Sequence, residues 1–218
     1  MTLAAASLNG TPLYKLLLVL PFSGFWHADV TLTQDIDRGA TQSLVLAGTT
    51  YTCSIVREVD WAGRLMLRLV GGAGGWRKPV GAKQYQSPLG VPGSVLLVDA
   101  AAAVGELPPD TSGAPSSVGP GWVRQAGAAS LVLQQITPSF WQDTTGLVRT
   151  SPRASPAIAS PFSVMLVDGA PGLVQVASEA PGDWAPGATF TSPTASGTVN
   201  RAMHRFEGDR LRTEVVLA

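Results

Sequence analysis

The sequence predicts a mainly β protein: two small β-barrel-like domains with a short helix and a hairpin between them. Three observations carry this. Apolar and polar residues alternate with a period of two over several stretches, the pattern of strands with one buried face. The 24 glycines and 17 prolines favour many turns and short strands over long helices. Residues 107–121, LPPDTSGAPSSVGPG, have few groups able to build a core and read as a Pro/Gly/Ser linker. Residues 1–106 are therefore expected to form an N-terminal β-barrel domain. Residues 122–218 are expected to form a short helix plus a C-terminal barrel-like domain.

Taken in order, residues 1–10 are weakly patterned and read as an arm or a short first strand. The run at 13–20 reads as a buried strand broken by Pro21 and Gly24. Trp26, Ala28, Val30 and Leu32 alternate with His27, Asp29, Thr31 and Thr33, a half-buried strand. A charged turn at 35–39 leads to strands at 43–47 and 50–59 around Gly48. Ala62-Gly63 then turns the chain into a strand at 64–70. There Leu65, Leu67 and Leu69 alternate with Arg64, Met66 and Arg68. Short strands are expected at 82–86 and 94–98, with Asp99 capping a helical turn over 100–104. The stretch 122–136 is the best helix candidate, because Ala129, Val132, Leu133 and Ile136 fall at helical spacing. Hairpins are expected at 140–149, at 162–177 and at 198–217, with a short strand at 188–191.

Composition narrows the function. Hydrophobic residues make up 45% and charged residues 14%, so the chain is not disordered. So little charge leaves two readings: much surface is covered by partners, or Ser, Thr, Gly and Pro solubilise the loops. Lys plus Arg and Asp plus Glu balance at 15 each, which argues against nucleic-acid binding by bulk electrostatics and leaves open a local basic strip. The single Cys53 excludes an internal disulfide and a multi-cysteine zinc site, and reads as a small buried hydrophobe. The run LLLVL at 16–20 is far shorter than the roughly 20 residues of a membrane span. No signal-peptide cleavage pattern follows it, so assembly in a cytoplasm is expected.

No catalytic, cofactor or metal signature stands out. His27 and His204 lack any metal-ligand spacing, and no G-x-S-x-G elbow is present. The run Gly71-Gly72-Ala73-Gly74-Gly75 lacks the Gly-Lys-Ser/Thr ending of a phosphate loop. Its glycines read as positive φ or close backbone approach. Trp76, Arg77, Lys78 and Lys83 form the densest basic patch, read either as a solvated loop with one packed indole or as a partner contact.

Two sets of segments carry a resemblance. The first is VREVDWAGRLMLRLVGG at 56–72 with KQY at 83–85, VLLVDA at 95–100 and Gly105-Glu106. The second is PGATF at 186–190, VNRAMH at 199–204 and LRTEV at 211–215. Together they resemble the hub and baseplate proteins of bacteriophage tails, of the late control protein D type. The chain is shorter than a typical hub. The resemblance implies a non-enzymatic virion component without cofactor, built of two barrels. It also implies a homotrimeric ring of near six-fold symmetry that joins the tail tube to the tip or spike, located in the virion tail. Partners implied are the tail tube, distal tail and spike or tip proteins. Residues expected to serve packing and subunit contact are Trp61, Arg64, Arg68, Trp76, Tyr85, His204 and Arg212. Two rival readings remain. One is a receptor- or carbohydrate-binding β-module of a phage tail, which exposed Trp61, Trp76 or Trp141 would favour. The other is a cell-wall hydrolase or esterase.

Overall fold

The computed structural model describes residues 6–169, 172–208 and 210–218, and is mainly β with two helices. The N-terminal strands are β1 (Ala6–Leu8), β2 (Thr11–Pro12), β3 (Lys15–Pro21), β4 (His27–Leu32), β5 (Gln42–Leu46), β6 (Thr49–Trp61) and β7 (Arg64–Gly71). The expected first strand at 1–10 is thus present as β1, while residues 1–5 lie outside the described residues. The antiparallel ladder runs β3-β4-β7-β6-β5-β1-β2. Only Leu13 and Tyr14 separate β2 from β3. The Leu13 N–H donates to Ala6 O (3.0 Å) and the Tyr14 N–H to Thr31 O (2.9 Å). The hydrogen-bonded path therefore begins and ends on one continuous segment, 11–21, and the sheet curls back on itself.

The alternation dictates which faces turn inward. Leu16, Leu18 and Leu20 of β3, Ala28, Val30 and Leu32 of β4, and Leu65, Leu67 and Leu69 of β7 are all buried. The intervening Leu17 and Val19 are half-covered, as suits a strand flanked by neighbours on both edges. Trp26 packs edge-on to Tyr51 (5.4 Å between centroids) and donates from its indole nitrogen to Asp143 O (3.0 Å). Cys53 is fully buried, and burial pushes its thiol up to about 12, out of reach of a nucleophile's role at neutral pH.

A second, smaller body follows: β8 (Pro79–Val80), β9 (Lys83–Gln86), α1 (Gly93–Val104), β10 (Gly121–Arg124), β11 (Gly127–Ala128), α2 (Ser130–Ile136), β12 (Trp141–Gln142) and β13 (Val148–Arg149). Its core joins Trp76, Tyr85, Leu96, Leu97, Leu133 and Phe140. Here the structure departs from the sequence expectations. Residues 94–98 open a helix and are not a strand. Gly93, Leu96, Leu97, Ala100, Ala101 and Val104 are buried at helical spacing, and Gly105 ends the helix with φ 75°. Asp99 does not cap it but sits within it. Of the expected helix 122–136, only Ser130–Ile136 is helical. Gly127 at φ 157° is extended, and Gly121–Arg124 pairs with β9, where Trp122 packs on Tyr85.

The segment 107–121 is laced onto this body. Gly93 N–H donates to Pro115 O (3.0 Å), Val91 N–H to Gly119 O (2.8 Å) and Asp110 N–H to Val148 O (2.9 Å). The buried residues form two hydrophobic clusters, one drawn from residues 6–69 and 174–215, the other from 76–148.

The closing strands are β14 (Phe162–Asp168), β15 (Leu173–Ser178), β16 (Thr189–Thr191), β17 (Ser196–Glu207) and β18 (Arg210–Leu217). Their order is β14-β15-β18-β17, with β16 beside the start of β17. A parallel bridge between Ala157 and Thr189, with the Ile158 N–H on Thr189 O (2.8 Å), brings the segment ahead of β14 alongside β16. This path, too, returns to its own chain. Residues 201–207 of β17 then pair with β3, so that Leu18 faces His204, and one 12-stranded sheet runs through both curled units.

Candidate interaction surface

The residues expected at contacts divide by burial. Trp76 (3% exposed), Tyr85 (9%) and His204 (1%) are enclosed within the single chain, so their side chains serve packing. Trp76 stacks on Phe25 at 6.3 Å. Tyr85 Oη donates to Asp99 Oδ2 (2.5 Å), which also takes Arg124 (2.8 Å) and pairs with Lys83. Burial and this bonded carboxylate push the Tyr85 hydroxyl up to about 12. His204 shares a hydrogen bond of 2.9 Å between its Nδ1 and Thr213 Oγ1.

Trp61, Arg64 and Arg68 lie together on the β6–β7 hairpin, while Arg212 is exposed on β18 in the other unit. The hairpin is long because β6 outruns β5. Residues 49–53 pair with β5, and beyond them, among the described residues, only β7 accompanies the strand. A register shift between Ile55 and Arg57 sets Arg57 opposite Arg68 on the outer face, and every residue from Val56 to Trp61 is exposed. Ala62 (φ 52°) and Gly63 (φ 71°) close the arm with two left-handed residues, the conformation a two-residue hairpin turn needs. Trp61 at the tip is 70% exposed. The Arg64 guanidinium stands 4.2 Å over the Tyr14 ring, and Arg68 pairs with Asp29.

Beside the arm the glycine run makes an anion nest, and the anion is the protein's own. The Glu106 carboxylate accepts from the Gly75 N–H and from the Ala73 N–H (3.3 Å). Burial raises the Glu106 pKa, and the backbone donors pull it the other way. Close approach explains the glycines: a Cβ on Gly75 would lie 2.5 Å from Val104 O, and one on Gly146 would lie 2.4 Å from the Gly72 backbone. Glu106 follows directly on α1 and its Gly105 stop, so the helix end delivers the carboxylate to the loop. Nothing local marked it in the sequence, because donor and acceptor are about 30 residues apart along the chain.

Between the outer half of β6, the coil at 38–40 and the loop at 73–79 lies an open groove of about 980 Å³. Arg38, Arg57, Arg68, Arg77 and Lys78 line it, against one acid, Glu58. Arg38 clamps Glu58 (2.7 Å) and Asp35 (2.8 Å). This holds Glu58 below the usual carboxylate range through the hydrogen bond from Arg38. Arg57, Arg77 and Lys78 are exposed and make no ion pair among the described residues. The basic patch read from the sequence is thus split. Trp76 enters the core, Lys83 is matched by Asp99, and Arg77 and Lys78 join Arg57 and Arg38, which the sequence did not single out. Among the described residues no group of three His, Cys, Asp or Glu stands together, and no helix is long and apolar enough to cross a membrane.

Two curled antiparallel units fused through a shared sheet, with a small mixed body of short strands and two helices between them, make a fold that resembles solved structures of tail proteins. A tail protein from Neisseria meningitidis aligns with a TM-score of 0.62 and 12% identity, over 97% of this chain and 95% of that one. The 43 kDa tail protein of prophage MuSo2 from Shewanella oneidensis aligns at 0.63 with 7% identity, over 98% and 95%. An E. coli component of the type VI secretion system, described as similar in structure to the T4 phage tail proteins gp27 and gp5, aligns at 0.64 with 9% identity, over 98% and 74%. At these identities the likeness is one of fold. No protein-family model matches the chain, and no curated protein matches it by sequence.

Proposed function

We propose that the chain is a structural virion protein: a hub component of a phage tail or baseplate. It forms a ring joining the tail tube to the tail tip or spike. It acts by packing, carries no catalytic centre, and is assembled in the host cytoplasm into the tail. The observation that carries this reading is the doubling of curled strand units within one sheet, joined at β3 and β17. Three copies of a chain with two such units set six around an axis. The likeness of the whole chain to tail proteins supports the same reading. So does the composition, since obligate interfaces resemble a core cut in half.

The test is the native mass of the purified protein at tens of micromolar. A trimer of the 22.6 kDa chain, about 68 kDa, is expected. A stable monomer without affinity for tail-tube or tip proteins overturns the reading.

One observation favours a second reading, a receptor- or carbohydrate-binding module: the exposed indole of Trp61 at the arm tip. Trp76 is buried, and Trp141 is covered by the Arg153 guanidinium at 4.3 Å, so Trp61 alone carries it. A glycan-array signal lost in Trp61→Ala would establish it in place of the hub.

A further inference from the structure

We propose that the basic groove beside the β6–β7 arm receives the acidic turn at 178–184 of a second copy of this chain. The proposal deepens the ring reading and rests on it.

The groove offers three exposed cations, Arg57, Arg77 and Lys78, while its other charges are already matched within the chain. The complement lies in the C-terminal unit. Glu179 and Asp183 are exposed and make no ion pair among the described residues; Glu179 stands just ahead of a tight 3-10 turn, Pro181–Trp184, and Asp183 lies within it. Within one molecule the two poles are far apart. Gly182 sits against Thr49, at the start of β6, where an added Cβ would be 2.9 Å from Thr49 Oγ1. Arg57 is eight residues further along the same strand, about 26 Å at 3.3 Å per residue. β6 thus carries the acidic turn beside its beginning and the cationic groove beside its far half. A head-to-tail contact between copies satisfies both at once, and such a contact closes into a ring when its rotation allows.

The charge balance fits a self-contained match. Over residues 1–80 cations outnumber acids seven to five, and over 150–218 acids outnumber cations six to five. Asp37 and Asp60 also belong to the N-terminal unit but lie outside the groove lining. Both sides are held ready. The buried Pro181 and Trp184 anchor the acidic turn, and Glu106 anchors the loop that presents Arg77 and Lys78. Groups fixed before contact lose little freedom on binding. Exposed ion pairs are individually weak, so the match sets the register and direction of the contact, while the wrong register juxtaposes like charges.

The test is charge reversal and exchange, read by native mass across a dilution series. Arg77→Glu with Lys78→Glu, and separately Glu179→Lys with Asp183→Lys, are each expected to raise the concentration of half-assembly at least tenfold. All four changes together are expected to restore it to within threefold of the original. In the unaltered protein, a zero-length carbodiimide is expected to couple Lys78 to Glu179 or Asp183 in the oligomer but not in the monomer, as read by peptide mass spectrometry. This arm needs no variant to fold. A wild-type protein that never assembles overturns the ring reading itself. A wild-type oligomer in which both reversals are silent, or in which Lys78 couples to other acids, overturns this contact alone.

Discussion

His204 makes the chain acid-sensitive in a defined window. It lies on the inward face of β17, between Ala202 and Phe206, with Leu18 of β3 on one side and Thr213 of β18 on the other. Nδ1 is engaged by Thr213 Oγ1, and the buried Nε2 has no hydrogen-bond partner among the described residues, so an added proton would find no acceptor there. Burial pushes its pKa from 6.5 down to about 4. Between those values the unfolded chain binds a proton that the folded chain refuses, so stability falls as pH falls from 6.5 towards 4. At about 1.4 kcal/mol per pKa unit the full loss is about 3 kcal/mol, and the step from pH 7 to pH 5 accounts for about 2 kcal/mol of it. For a chain of this size that is a fall in Tm of about 4–8 °C. Other groups titrate nearby. His27, lowered first by burial and then by Arg68, acts in the same direction, and Glu106, raised by burial, acts in the opposite one. The measurement is therefore a difference: urea or thermal unfolding of the wild type and His204→Gln at pH 7 and pH 5, at one protein concentration because assembly shifts apparent stability. The wild type is expected to lose about 2 kcal/mol more than the variant over that step. Parallel losses in the two proteins would refute the assignment of a neutral, buried His204.

Three further outcomes follow from the packing. Gly75→Ala drives a methyl to 2.5 Å from Val104 O and 2.9 Å from Glu106 Cγ; unfolding should show a loss of about 1–3 kcal/mol from overpacking. Glu106→Gln removes the charge-assisted acceptor of the Ala73 and Gly75 N–H groups and turns an amide towards donors. A loss of about 1–3 kcal/mol is expected, with faster hydrogen exchange confined to residues 71–78. Leu69→Ala empties a fully buried site of β7 and should cost about 2–5 kcal/mol in the same assay.

What the sequence made legible is what local pattern dictates. The strand pattern of β3, β4 and β7, the Ala62-Gly63 turn, and the hairpins of β14–β15 and β17–β18 follow from periodicity and turn chemistry, and the structure has them. The second body was misread where apolar runs are short. SVLLV at 94–98 is too brief to separate strand from helix by period, and its buried partners, Leu133 and Ile136 of α2, lie more than 30 residues on. The Pro/Gly/Ser stretch 107–121 looks like a linker because it lacks core residues. Backbone hydrogen bonds, which composition does not reveal, tie it to the second body, and its Ala114 and Val118 pack against that body's core. Trp76, Tyr85 and His204 resemble contact residues because aromatic and polar side chains occur at interfaces, yet each finds its partners within the chain. The groove cations were legible only in part, since Arg57 meets Arg77 and Lys78 through the register shift in β6 and the Glu106 nest.

The low charge and the exposed strands are one problem seen twice. β14 ends the sheet. Its Met165, Leu166 and Val167 are exposed in succession, next to a register shift between Val164 and Leu166. β6 repeats the arrangement in the other unit, with Val56 at the shift and Val59 and Trp61 beyond it. A monomer with two such edges is at risk of indiscriminate edge pairing, which soluble proteins blunt with charge, proline or a cover. Here each edge has a bulge, but little charge stands on β14 itself, where only Asp168 interrupts the run. The bulges restrict which strand could pair there, and the apolar side chains favour being covered. Both conditions suit a surface that is exposed in the isolated chain and covered in an assembly. The cations of the groove lie alongside the β6 edge, so in the proposed contact between copies they would set its direction while the apolar arm would supply its burial.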